Sequence, residues 1–434
     1  MTDQSGSAPT FDLDHYLRLP RVAGLALAPD GSRLVTSVAT PAPDGKKYVS
    51  ALWQLDPAGE QAPRRLTRSA PGERDAAFLP DGSLLFTSTR ADPEAPPADG
   101  DDDEEVAALW LLPAGGGEAR QVAATPAGID KLAVARDAGT VVYRTGVHPG
   151  ADDLEADERT HKARKDAGVT AQLFESYPIR YWDHYLGPRE PRLFAAAPPP
   201  AGDGRMAPGR PLTPEPGRAL DEVELAVTPD GATVLTGWNS DQVRNPRTLL
   251  LAVDTAGGER RVLLDDPDSS VGRVVCSPDG RLAVCERIWH GDPDHPMDVR
   301  LWLLDLDGGQ GRDLLPDLDL WPQEPTWAAD GRALFVVADQ GGRTPVFRVE
   351  VGGEHDGRVT RLCADGAFSD LCPSPDGRRL YALRAALDAP PGAVALDATT
   401  ADQRPAPLPT PGLPLPVPGT LGEVHTTAAD GTPL

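Results

Sequence analysis

Cysteine is scarce in this sequence. Cys276, Cys285, Cys363 and Cys372 are the only four, and no two of them form a C-x-x-C pair. That spacing offers neither a zinc site nor a dithiol redox centre. Cys276 and Cys285 flank one expected hairpin. In it Cys276 would oppose about Arg281, leaving Cys285 too far along for a disulfide. All four read as small core residues. Basic residues are also in deficit: 42 Lys and Arg stand against 66 Asp and Glu, a formal charge of −24. Such a field repels phosphate backbones and argues against nucleic acid as a partner. No run of 18 apolar residues occurs, and Met1 to Pro20 has no apolar leader segment. No membrane partner is therefore expected, and a cytoplasmic location is.

Catalytic patterns are missing too. There is no G-x-S-x-G, H-E-x-x-H, G-x-x-x-x-G-K-[ST] or G-x-G-x-x-G. The sequence therefore offers no nucleophile elbow, zincin helix or phosphate loop. No catalytic residue, metal ligand or cofactor is assigned. Two clusters come nearest to a cation site. The acidic run Asp99 to Glu105 lacks the ligand alternation and terminal Glu of a calcium loop and reads as a solvated loop. His290 and His295 share a segment with Asp292, Asp294 and Asp298, where Pro293 and Pro296 favour a plain loop.

What the sequence has in abundance is one turn, repeated. Val274 to Val284 holds two apolar runs around Ser277-Pro278-Asp279-Gly280. Proline pre-sets φ at the second turn position, Asp is accommodated at the third, and Gly supplies positive φ at the fourth. Copies centre on Asp30, Asp81, Asp230, Asp330 and Asp376, with a degraded copy at Asp137. Successive turns lie 51, 56, 93, 49, 51 and 46 residues apart. A period near 50 residues with β-rich runs between the turns specifies repeated supersecondary units rather than unrelated hairpins. Each unit continues into a Leu- or aromatic-centred run, such as Ala51–Asp56, Ala108–Leu112 or Val299–Asp305, and then a short closing run. Four strands per unit and seven units predict an all-β protein, a seven-bladed β-propeller. Gly and Pro, 44 and 47 residues, punctuate those strands.

The organisation along the chain follows. Residues 1–21 form an N-terminal segment in which Phe11 to Leu19 is expected to be a short helix ended by Pro20. The propeller occupies 22–410, and its ends are expected to close without sharing a strand. The 93-residue step marks an insertion in blade three, 148–188. Its first part, Asp152 to Ala167, reads as an exposed helix capped by Asp152, with i,i+4 pairs Glu155/Arg159 and Glu158/Lys162 and a stop at Gly168. It has almost no apolar stripe, which predicts no large core contact. Its second part holds Tyr177, Tyr181, Trp182 and Tyr185 within nine residues of a chain that has only 8 Trp, 7 Tyr and 8 Phe. Such density reads either as a local mini-core or as a surface that meets a partner. Trp238-Asn239, Trp289-His290 and Asp339-Gln340 are expected on one rim. Residues 411–434 read as a Pro-rich linker and then a strand, a turn and the start of another strand.

Three features together resemble the prolyl oligopeptidase family of serine peptidases, nearest its acylaminoacyl-peptidase and dipeptidyl-peptidase IV-like branch. They are the Ser-Pro-Asp-Gly hairpins, the opening Tyr16-Leu17-Arg18-Leu19-Pro20-Arg21-Val22, and the closing Glu423…Asp430-Gly431-Thr432-Pro433-Leu434. The resemblance implies an N-terminal propeller that gates and selects oligopeptide or acyl-peptide substrates. Its partner would be a C-terminal α/β-hydrolase domain carrying the Ser, Asp and His triad, a domain absent from this chain. No residue here matches the triad motifs. Similar proteins place propeller residues near the amino end of the substrate, and Arg180, Trp182 and Asp183 are the candidates for substrate binding. Two alternatives stand beside this reading. One is a TolB-like propeller acting alone as a protein-interaction platform. The other is a propeller enzyme with a central-channel metal site, which needs a ring of inward carboxylates and His that the sequence does not display.

Overall fold

The computed structural model describes residues 12–93, 106–174, 178–240, 246–308, 311–413, 415, 417 and 419–432. The acidic run from Asp99 to Glu105 and Tyr177 lie outside these residues. The described chain forms seven four-stranded antiparallel sheets, built from 21–65, 74–123, 129–211, 225–264, 269–313, 323–363 and 367–407. Each sheet is one blade, with its strands in chain order from the centre outward. The innermost strands of consecutive blades pack on one another, and that of blade one packs on that of blade seven. The fold is the expected seven-bladed propeller.

The repeated turn explains itself chemically. In six copies the Gly amide donates to the carbonyl three residues back, at 2.8–3.0 Å. The Asp does more than fit its place. Its carboxylate accepts the amide two residues on, from Ser32, Ser83, Ala232, Arg281, Arg332 and Arg378, at 2.8–3.1 Å. Where the first position is Ser or Thr, the hydroxyl donates to that carboxylate and accepts the amide five residues on, as Ser277 does with Asp279 and Leu282. This local bonding competes successfully with other backbone arrangements and fixes the hairpin register.

Beyond each turn, the second strand opens with two apolar residues that face opposite neighbours. The pairs are Leu34/Val35, Leu84/Leu85, Val141/Val142, Val234/Leu235, Ala283/Val284, Leu334/Phe335 and Leu380/Tyr381. In every case the first packs against the preceding blade and the second against the following one. Strand alternation thus serves two cores at once, which is why these strands read as continuous apolar runs. Seven buried clusters result, one at each interface between blades.

Among the described residues, blades one and seven share no strand, as expected. Their seam is held by Val22, Leu34, Val38 and Leu55 against Tyr381, Leu383, Ala393 and Leu408, and by the Cys372 thiol donating to the Leu25 carbonyl at 3.0 Å. The turns touch as well. A Cβ on Gly31 would stand 3.2 Å from Cδ of Pro375, as one on Gly280 would stand 3.4 Å from Pro229. At Gly31, Gly139, Gly280 and Gly331 the turn glycine therefore rests on the turn proline of the blade before it.

Several local expectations are corrected. Cys276 pairs with Ala283, not Arg281, because the hairpin bonds Ser277 to Leu282 before the ladder begins. All four cysteines are free, and burial pushes the thiols of Cys276, Cys285 and Cys372 up to about 12. The first helix, α1, is Leu13–Arg18, with Asp12 as its cap. The insertion helix, α2, is Leu154–Asp166. Its cap is Asp153 rather than Asp152, accepting the Ala156 amide at 2.7 Å. Residues 422–426 carry no strand, and Thr427 stands in an isolated bridge beside the turn. The turn at Ala429-Asp430-Gly431 does form, with Gly431 at φ +91.

Candidate substrate-facing site

The blade topology sorts every loop onto one of two faces. The Pro-Asp-Gly turns lie on one. Connections between second and third strands, and between blades, lie on the other. The insertion joins the second and third strands of blade three, so it stands on that second face. α1 enters blade one from the same face, where the Tyr48 hydroxyl donates to the Leu17 carbonyl at 2.8 Å. The last strand of blade seven also exits there, and Glu423 beyond it pairs with Arg343 of a blade-six loop on that face. Trp238-Asn239, Trp289-His290 and Asp339-Gln340 lie on this rim too, where they close turns. Asn239 donates to the Asp221 carbonyl at 2.7 Å, His290 meets the Ser270 hydroxyl at 2.8 Å, and Asp339 accepts from Thr344 at 2.8 Å.

The insertion is anchored by a charge rather than by an apolar stripe. Asp157 on α2 is fully buried. Its Oδ1 accepts the His148 amide at 2.7 Å and meets His148 Nδ1 at 2.5 Å, and Arg189 Nη2 lies 3.1 Å from Oδ2. Burial alone would push the Asp157 carboxyl up. Arg189 and His148 outweigh it and hold the group below the usual range. Burial lowers the His148 imidazole despite Asp157, keeping it neutral at ordinary pH. Leu154 and Ala156 lean on the core between blades two and three. The buried carboxylate, rather than an apolar stripe, anchors α2.

Past the helix, Arg180–Tyr181 and His184–Tyr185 pair as a small hairpin. Trp182 and Asp183 form its tip. Trp182 is 92% exposed and sits at φ +48. A bulky residue in that region is strained by roughly 1–2 kcal/mol. Tyr185 is exposed, with Phe174 against it at a ring separation of 6.4 Å, and Tyr181 is half-buried. Arg180 and Asp183 are exposed beside them. The three candidate residues therefore share one small exposed hairpin on the insertion face.

A second set of residues went unread in the sequence. The innermost strands of blades one, two, three, five, six and seven each carry an irregularity in their register. Aligned on the turn, the residues five before its second position are Gly24, Asp75, Lys131, Glu224, Arg273, Glu324 and Asp370. Asp75, Glu324 and Asp370 adopt positive φ there. Neighbouring blades are linked at this level through Glu286, Glu324 and the Lys131–Glu224 pair, whereas Asp75 and Asp370 bond Thr87 and Ser369 within their own blades. Glu286 accepts the amides of Arg273 at 3.2 Å and Glu324 at 2.9 Å, and Glu324 accepts that of Asp370 at 3.1 Å. Glu224 pairs with Lys131 at 2.7 Å, and Asp130 with Arg144 at 2.8 Å. Burial raises the Glu286 carboxyl in spite of its two amide donors. The column was legible once the repeats were aligned on the turn. Among the described residues, no group of three His, Cys, Asp or Glu is arranged to hold a metal. His295 Nδ1 instead bonds Asp292 at 2.9 Å within its own loop.

The arrangement is that of a strand-unshared seven-bladed propeller with one elaborated face. Comparison with known proteins narrows that class. No family model matches the chain. The dipeptidyl-peptidase 5 of Porphyromonas endodontalis is 25% identical over 240 residues, covering 53% of this chain and 31% of that protein. An acylaminoacyl peptidase solved with Z-Gly-Gly-Phe-chloromethyl ketone superposes at TM-score 0.63 with 11% identity, over 91% of this chain and 53% of that one. The β-propeller domain of the trilobed protease from Pyrococcus furiosus, with an open velcro topology, gives 0.58 with 9% identity, over 90% and 98%. An oligogalacturonate lyase in complex with manganese gives 0.56 with 13% identity, over 88% and 90%. The chain spans about a third of the curated relative and about half of the acylaminoacyl peptidase. Its similarity is to the propeller portion of peptidases of the prolyl oligopeptidase kind, and no helix among its described residues is long and apolar enough to cross a membrane.

Proposed function

We propose that this propeller admits and selects peptide or acyl-peptide substrates for an α/β-hydrolase domain that docks on the insertion face, with the whole acting in the cytoplasm as a serine-type peptidase. The observation that carries the reading is convergence. The insertion, α1 and the exit of blade seven occupy one face, and the strained, exposed Trp182 belongs to that insertion. Tyr and Trp at such a surface bring large contact area with a polar tip. Arg180 and Asp183 flank Trp182 and are the groups offered to a substrate end. Residues 1–21 would lead into the ring, and 411–434 would bridge to the hydrolase domain.

The test is a photo-crosslinking amino acid placed at position 182, in this chain produced together with the sequence encoded downstream of codon 434. Crosslinks to a segment bearing G-x-S-x-G support the reading. A stop codon there, or crosslinks only to unrelated proteins, favours the stand-alone interaction platform. The likeness to the oligogalacturonate lyase over 90% of its length shows only that a propeller of this shape also makes up nearly all of another chain.

A further inference from the structure

The rim of the ring is a series of sheet edges, and an uncovered edge strand is a template for pairing with another chain. Four of the seven outermost strands, Arg64–Arg65, Arg210–Pro211, Gly311–Asp313 and Ala406–Pro407, are only two or three residues long. The longer ones are Arg120–Ala123, Arg260–Leu264 and Val359–Cys363, in blades two, four and six. Two of these are strapped by the blade that follows. In blade two the Val122 carbonyl accepts the Met206 amide at 2.9 Å, and Arg120 donates to the Pro200 carbonyl at 3.1 Å. In blade six the carbonyls of Arg361 and Leu362 accept the amides of Asp402 and Gln403 at 3.0 and 2.9 Å.

Among the described residues, blade four has no such strap, and no backbone hydrogen bond closes the outer edge of Arg260–Leu264. The connection in blade five that corresponds to the straps is short and pinned at its base, where Leu304 and Gly311 are ladder partners. Charged side chains often blunt an edge of this kind. Here they lie back along the molecule. The Arg260 guanidinium stands 5.0 Å from the centre of the Trp238 ring, and Arg261 donates to the Leu306 carbonyl at 2.7 Å. Val262 follows them, 55% exposed. Every other exposed large apolar side chain among the described residues belongs to α1, to the insertion face or to the chain beyond blade seven.

The sequence across this edge is Glu259-Arg260-Arg261-Val262-Leu263-Leu264-Asp265-Asp266, basic at one end, apolar in the middle and acidic at the other. Such a strand complements its own antiparallel copy. Centred on Leu263, the pairing sets Arg261 opposite Asp265 of the partner subunit and Arg260 opposite Asp266 of the partner subunit. Val262 then meets Leu264 of the partner subunit. Asp265, which also meets Arg247, keeps 43% of its side chain exposed. Opposite charges facing one another across antiparallel strands attract, and twofold symmetry makes each pair occur twice. Centring on Val262 instead would set Glu259 against Asp265, so charge selects the register. In a chain of formal charge −24, this nearly balanced segment is a place where two copies meet without strong repulsion.

We propose that the outermost strand of blade four pairs antiparallel with the same strand of a second copy of this chain, joining two four-stranded sheets into one of eight across a twofold axis. The contact lies on the rim and leaves the insertion face open, so it holds with or without a hydrolase domain there.

The experiment is sedimentation velocity of the purified chain from about 1 μM to about 200 μM, the range in which so small an interface dissociates. A monomer–dimer equilibrium without larger species is expected, because an isologous contact closes at two. Val262→Lys, a charge placed on the exposed edge, and Arg261→Asp are each expected to weaken the dimer about tenfold or more. Asp265→Arg alone does the same, and Arg261→Asp combined with Asp265→Arg restores the dimer. Matching melting curves verify that the variants fold. A monomer at every concentration, assembly beyond the dimer, indifference to Val262→Lys or Arg261→Asp, or failure of the double variant to recover overturns the proposal.

Discussion

Asp157 Oδ1 and His148 Nδ1 meet at 2.5 Å where neither side chain reaches bulk solvent, and this contact ties α2 to the end of a blade-three strand. Both groups titrate so as to weaken the tie in acid. The folded state lowers the His148 pKa below its ordinary 6.5, so it binds fewer protons than the unfolded chain as pH falls from 6.5. Asp157 lies below its ordinary 3.8 and loses its contribution as pH falls past that value. Stability of the insertion is therefore full near neutrality and declines on acidification, first through His148 and then through Asp157. Hydrogen exchange of α2 measured from pH 7 to 4 should show progressive loss of protection while blade-centre amides hold. Protection that rises on acidification contradicts the assignment.

Removing the carboxylate is a sharper perturbation. Asp157→Ala leaves Arg189 and His148 buried without their partner, a loss of about 3–5 kcal/mol for pairs of this kind. The loss should fall on the insertion, which limited proteolysis would then cut within 150–190 well before the blades. A uniform decrease across all blades would show that the pair supports the ring itself.

Gly31 and Gly377 provide a matched comparison at the closure. Their φ values are +74 and +70, so alanine at either costs about 1–2 kcal/mol in backbone strain. Only at Gly31 does the new Cβ meet a neighbour, Pro375 at 3.2 Å; at Gly377 it meets nothing within 4 Å. Gly31→Ala should destabilise more than Gly377→Ala by chemical denaturation. Equal losses would mean the turns do not bear on one another across the seam.

Trp182 contributes exposed area and strain to this chain but no core packing. Trp182→Ala should shift unfolding by no more than about 0.5 kcal/mol. Trp182→Gly, which accepts positive φ without cost, should stabilise the hairpin by about 1 kcal/mol. A large loss from Trp182→Ala in the isolated chain would identify the cluster as ordinary core and remove it from the docking surface.

The purified chain alone should not turn over chromogenic aminoacyl or acyl-aminoacyl substrates, because nucleophile, base and oxyanion donors of the triad kind are missing from its sequence. Turnover abolished by a serine-directed reagent after stringent purification would refute this.

The turn period made the ring legible, because Pro, Asp and Gly each do a job that depends only on neighbours within five residues. The paired residues Leu84/Leu85 and their equivalents were legible as strand but not as two-faced, since alternation is silent when both faces are apolar. The channel column of Asp75, Glu324 and Asp370 lay in plain view at constant spacing, yet charge in a strand reads as solvent exposure until the repeats are stacked. Asp157 was beyond reach. Its partners are 9 residues before it and 32 after, and an Asp on a polar helix resembles every other Asp there. The hairpin of Arg180, Trp182 and Asp183 was found by density of aromatics, whereas the backbone strain beneath Trp182 has no trace in the sequence.

The seam between blades one and seven differs from the other interfaces in a way that packing alone does not reveal. Every other neighbouring pair is tethered by the chain itself, so blades that part remain within reach of each other. The first and last blades are tethered only through the whole circumference. Among the described residues no hydrogen-bonded strand pair spans the seam, so its apolar contacts, the Cys372 thiol and the touching turns at Gly31 and Pro375 carry the tension there. The molecule behaves as a bracelet with one clasp: pulled between Arg21 and Leu408, it should part at that clasp, at a force set by side-chain packing, and open into an arc of seven intact links.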